Sequence, residues 1–187
     1  MGFSLSWIAF SGKAKGEVLS ALALIDSGKP DAYCESPIAG AELPGGWYVV
    51  CMHPCNHPLT ADQMLAKFST GCTLLGCQVE EHVMVSTGFE WRDGKASWAV
   101  AHDSANGRYD LSVDGTPPAR FHALRDAAIA AQDDEGGDQA DVDLIFDVPL
   151  DLVRAICGFR HDRLDEPDPA GGFRPRYRFT KLVAANA

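Results

Sequence analysis

The chain has 187 residues, 46% hydrophobic and 22% charged, a balance within the globular range and outside that of disordered, collagenous or low-complexity chains. Sixteen Lys and Arg stand against 26 Asp and Glu, a formal net charge of −10; general nucleic-acid binding and docking on anionic lipid both need a basic surface and are disfavoured. No apolar run reaches the roughly 18 residues of a membrane helix, and the first residues lack the basic and small-residue signature of a secretory signal. A cytoplasmic location is therefore expected, with the six cysteines (Cys34, Cys51, Cys55, Cys72, Cys77 and Cys157) as reduced thiols rather than disulfides.

The length fits one domain over 1–187, with 162–187 as a basic C-terminal extension or edge strand. Phe3, Leu5 and Trp7 alternate with small polar residues and run into Ile8-Ala9-Phe10, the pattern of a strand entering a core. Gly2 and Ser6 formally match the N-myristoylation pattern, but a buried first strand accounts for the same residues. Val18, Leu19, Leu22 and Ile25 recur at helical spacing until Gly28 and Pro30 end the helix. Residues 31–46, rich in Gly and Pro, read as an ordered loop, and 47–52 as a β-branched and aromatic strand. Thr60 and Gln63 form a capping box for a helix ended by Gly71. Residues 72–114 read as a three-stranded antiparallel meander, with Gly76 as a bulge and turns at Asp93-Gly94 and Asn106-Gly107. Pro117-Pro118 opens a helix to about 132. An acidic loop, a short strand at 142–146 and a helix from Pro149 to Cys157 follow, and 177–182 reads as an edge strand. The expected fold is α+β, a mixed, mainly antiparallel sheet with a central three-stranded meander packed by three to four helices.

Three clusters carry chemistry. Cys51, His53, Cys55 and His57 place four soft or borderline ligands at every second position, so an extended segment would present them on one face. Zinc is the metal such a set would take. Four ligands along one strand span roughly 20 Å, however, and converge only if the chain bends. A strand end running into a polar loop is the competing account, and no cofactor is assigned. In the second cluster Glu80 and His82 share a strand face, and across the meander they would meet His102 and Asp103. A carboxylate beside an imidazole suits general acid–base catalysis, while the same residues also suit a solvated sheet face. The third cluster, Arg174, Arg176 and Arg178, would share one strand face and could grip an anion, pair with the acidic body or guard a sheet edge.

Several blocks are distinctive together: Ser4-Leu5-Ser6-Trp7-Ile8-Ala9, Pro44-Gly45-Gly46-Trp47-Tyr48, Cys77-Gln78-Val79-Glu80-Glu81-His82-Val83-Met84, Asp143-Leu144-Ile145-Phe146-Asp147 and Gly158-Phe159-Arg160-His161-Asp162. Over most of the chain they resemble a family of uncharacterised bacterial proteins of similar length. The resemblance implies a bacterial cytoplasmic protein and supplies no catalytic residue. Two functional readings stand. One is a non-catalytic acidic module that binds a basic protein partner, for example as an immunity protein does. The alternative is a small hydrolase or metal-dependent enzyme using the Glu/His cluster.

Overall fold

A computed structural model describes residues 2–185. In chain order the strands and helices are β1 (Ser4–Ser11), α1 (Lys15–Ala21), β2 (Leu24–Pro30), β3 (Ile38–Leu43), β4 (Trp47–Met52), α2 (Asp62–Phe68), β5 (Thr73–Glu80), β6 (Val85–Arg92), β7 (Lys95–Asp103) and β8 (Ser112–Gly115). They continue with α3 (Arg120–Asp134), α4 (Asp147–Cys157), β9 (Asp165–Pro167), β10 (Phe173–Pro175) and β11 (Thr180–Ala184). Nine strands form one sheet in the order β2-β11-β3-β4-β1-β5-β6-β7-β8, and β9 with β10 forms a separate ribbon. The fold is α+β with a mainly antiparallel sheet. Every strand pair among the described residues is antiparallel, so the expected parallel component is missing.

Strand alternation sorts the core into two layers. On one face Leu5, Trp7, Cys51, Leu75, Cys77 and Val100 pack under Leu150 and Val153 of α4 and under Phe159. On the other, Ile8, Phe10, Val50, Met52 and Leu74 pack under Val18, Leu19 and Leu22 and under Leu65 and Phe68 of α2. Strand β1 lies between β4 and β5 and is covered on both faces, which is why residues 7–10 are apolar without alternation.

Several local expectations change. Helix α1 ends at Ala21, Ala23 takes a positive φ of 54°, and the next residues run as β2 rather than as more helix. Residues 38–43 are a strand, not loop: β3 pairs with β4 along its whole length, and Gly40 is needed because a Cβ there would overlap the Tyr48 hydroxyl. Ala61, not Thr60, precedes α2, and no side chain caps it. The Thr60 hydroxyl instead donates to the His57 carbonyl at 2.7 Å and accepts from Gln78 Nε2 at 2.9 Å. Residues 81–84 are a turn that divides the expected first meander strand into β5 and β6. Residues 142–146 are irregular, because Asp143 and the Leu144 amide bond to side chains of other elements rather than to a neighbouring strand. The last strand, β11, is no edge: it lies between β2 and β3.

Candidate functional site

The expected catalytic cluster does not assemble. Glu80 ends β5, where it accepts from Ser4 Oγ at 2.5 Å and lies 2.7 Å from Nδ1 of His82. Those bonds, the Ser4 one first, hold the Glu80 carboxyl below its usual range. His82 stands in the turn with its side chain 63% exposed. Glu80 is in register with Val85, and Val85 with Asp103, so these three share a face. His102 pairs with Ser86 in the next row and therefore points to the opposite side. There it is fully buried, its ring nitrogens 2.8 Å from the Asp110 carbonyl and 3.1 Å from the Asp143 carboxylate. Arg108 reaches the same carboxylate at 3.4 Å. Asp103 turns its carboxylate to the Ala105 amide at 2.9 Å. The alternation that makes a sheet two-faced thus separates the two imidazoles.

The cysteine–histidine run also stays apart. Cys51 is buried in the α4-side layer, where loss of solvent pushes its thiol well above the usual range. The His53 ring lies 2.8 Å from the Cys34 carbonyl and 3.3 Å from that of Ser4. Burial pushes the half-buried Cys55 thiol up as well, and His57 Nδ1 accepts from the Leu59 amide at 3.2 Å. Both imidazoles therefore serve the backbone. Among the described residues no three His, Cys, Asp or Glu side chains converge as a metal site would require.

The three C-terminal arginines do not share a strand either. Strand β10 ends at Pro175, and Arg174 pairs with Glu166 across the small ribbon at 2.7 Å. Arg176 and Arg178 flank the buried Tyr177 and line a shallow cleft with Lys15 and Glu42. Another basic residue of this region, Arg160, to which the sequence assigned no separate role, is buried. Its three nitrogens bind Asp162, Asp151 and Asp147 at 2.8, 2.9 and 2.7 Å, tying α4 to the segment after it.

A groove missed at the sequence level lies on the α2 side of the meander. Register aligns Gly76, Phe89, Ala99 and Asp114 in one cross-strand row, with Gln78, Thr87, Ala101 and Ser112 in the next. Large rings at Phe89 and Trp91 beside small residues at Ala96 and Ala99 leave a concavity of about 330 Å³. A Cβ at Gly76 would overlap the Phe89 ring, so that glycine lets the ring lie flat on β5. Asp62 at the start of α2 and Asp114 of β8 are both exposed on its lining, and β8 is exposed along its whole length. The legible signal is the Thr87, Phe89, Trp91 alternation facing alanines across the Asp93-Gly94 hairpin. Compared with family models, curated proteins and solved structures, the chain matches none.

Proposed function

We propose that this chain is a non-catalytic, acidic protein-binding module of the bacterial cytoplasm, belonging with the proteins its sequence blocks resemble, and that it captures a basic segment of a partner protein. An immunity protein that masks a basic toxin is one concrete form of the role. The groove over β6, β7 and β8 is the observation that carries this reading. Trp91, half-buried, offers ring surface next to the largely buried Phe89, and Asp62 and Asp114 line the same groove. A Lys or Arg side chain gains there from stem contact with the rings, cation–π attraction and carboxylate pairing together. The net charge of −10 adds long-range attraction that speeds encounter with such a partner.

The test is a fluorescence titration with an arginine-rich peptide and a charge-neutral peptide of the same length, in 50 mM and 500 mM salt. The arginine-rich peptide binds at low salt and weakens steeply at high salt. Trp91→Ala, and separately Asp62→Asn with Asp114→Asn, weakens it by roughly tenfold, the scale of about 1.4 kcal/mol. Unchanged binding by both variants rejects the groove as the docking site. The enzymatic alternative rests on the Glu80–His82 pair alone; ester or peptide hydrolysis abolished by His82→Ala but retained by Trp91→Ala would favour it.

A further inference from the structure

His161 is only 3% exposed, and neither ring nitrogen has a hydrogen-bond partner among the described residues. The Glu81 carboxylate is 3.9 Å from Nε2, beyond hydrogen-bond reach. Burying a polar group without a partner costs on the order of 1–3 kcal/mol, so such a group in a folded interior asks what satisfies it. Burial pulls the His161 ring down to about 4, with Asp162 opposing and Arg160 reinforcing that shift. At neutral pH the imidazole is thus uncharged, offering one donor and one acceptor.

His161 lines a small, partly enclosed cavity of about 30 Å³ together with Phe3, Leu5, Cys34, Cys51 and Phe159. A space of that size admits a water or a one- or two-atom ligand tip. It shares Phe3, Tyr33, Cys34 and His53 with a wider surface cleft of about 550 Å³. Phe3 and Tyr33 are 41% and 50% exposed at this mouth, and Pro37 and Pro54 complete an apolar wall. The Phe3 ring meets the His161 ring edge-on, at 4.9 Å and 83°. Small-ligand sites have this form, an apolar mouth with one or two polar groups at depth.

The chemistry narrows the ligand. His53 is anchored by its 2.8 Å contact to the Cys34 carbonyl, whereas neither nitrogen of His161 has a partner among the described residues, so His161 is the ring with its full hydrogen-bonding capacity open to a tip. Glu35 lines the outer cleft, and Asp162 and Asp165 together with Arg163 line a cleft that adjoins it at Phe3 and Tyr33; three carboxylates against one guanidinium disfavour an anion. No carboxylate is among the residues lining the small cavity, Glu81 standing 3.9 Å from Nε2 of His161 outside that lining. A flat apolar body suits the Phe3 and Tyr33 rings, and a hydroxyl is small enough to enter and can bond the imidazole in either direction.

We propose that the Phe3–Tyr33 cleft is a binding site for a small uncharged aromatic molecule bearing a hydroxyl, the ring lying in the mouth and the hydroxyl bonded to His161. The site is separate from the docking groove, so either can fail without the other. The test is a titration of the whole protein with p-cresol and, in parallel, toluene, following the His161 ring nitrogens by NMR. A saturable shift with p-cresol, at least tenfold tighter than with toluene, supports the site. His161→Phe removes the preference for p-cresol, and Tyr33→Ala, a change at an exposed position, weakens p-cresol binding several-fold without altering the melting temperature. Equal affinity for the two probes, no saturable shift, or a slowly exchanging water that stays on His161 at saturating p-cresol each overturns the proposal.

Discussion

A buried neutral imidazole makes stability depend on pH with a defined sign. His161 is held down to about 4 in the folded chain and returns to about 6.5 when unfolded. Between those values the unfolded state binds a proton that the folded state does not, so acid favours unfolding. The contribution is fully present above about pH 6.5 and is lost as pH falls toward 4, amounting to about 2 kcal/mol between pH 7 and pH 5. Urea unfolding at the two pH values checks this: the loss is present in the parent protein and largely absent in His161→Phe. The other buried histidine, His102, has a different role: its Nε2 lies 3.1 Å from the Asp143 carboxylate, whose side chain is 1% exposed and which Arg108, 24% exposed, approaches at 3.4 Å. Asp143→Asn removes the charge that Arg108 and His102 face. It is expected to lower stability by about 1–3 kcal/mol, the cost of leaving buried hydrogen-bonding groups without their partner, and a thermal melt beside Asp126→Asn, an exposed control, reads the difference.

Helix α4 comes close to the backbone of β6 at Gly88. A Cβ at Gly88 would lie 2.7 Å from the Pro149 carbonyl oxygen and 2.7 Å from Val153 Cγ2. Gly88→Ala therefore forces α4 outward and is expected to cost about 1–3 kcal/mol, the usual range for overpacking. Gly16→Ala, on α1 with open space around it, is the control that should be neutral or better in the same chemical unfolding experiment. Elements of this kind differ in how far the sequence discloses them. The β6–β7 hairpin, α3 and α4 rest on local chemistry, an Asp-Gly turn and prolines near helix starts, and they were readable. The turn at 81–84 has no Gly, Pro or Asn; Met84 adopts a φ of 52° without the residue types that signal it, so β5 and β6 read as one strand. Strand β3 hides among Gly and Pro because its identity comes from Val49, Val50 and Cys51 opposite it. The groove needs three strands in register before Phe89 lies beside Ala99 and Asp114, and no periodicity within one strand carries that information.

At the scale of the whole molecule, the chain closes its sheet with its last strand. Strand β2 is left unpaired until β11 arrives more than 140 residues later and slots between it and β3. Folding of this side therefore waits on a contact of high sequence separation, the kind that slows folding. Phe179 fits into the α4-side layer against Phe159 at 5.8 Å, Tyr177 meets the same ring at 5.5 Å in a tilted pair, and Leu182 enters the opposite layer. The C-terminal segment thus contributes to both cores at once. Each of these side chains contributes roughly 1.5–3 kcal/mol on burial, and their sum is comparable with the whole stability of a domain, about 5–15 kcal/mol. A chain ending at Arg176 also leaves the β2 and β3 edges open to association. It is expected to lose the cooperative thermal transition and to aggregate, where an appended extension would be removed without effect. Circular dichroism melting with light scattering on the truncated protein decides between these outcomes. Supplying residues 177–185 as a separate peptide should restore part of the transition, because the slot between β2 and β3 is specific to that strand.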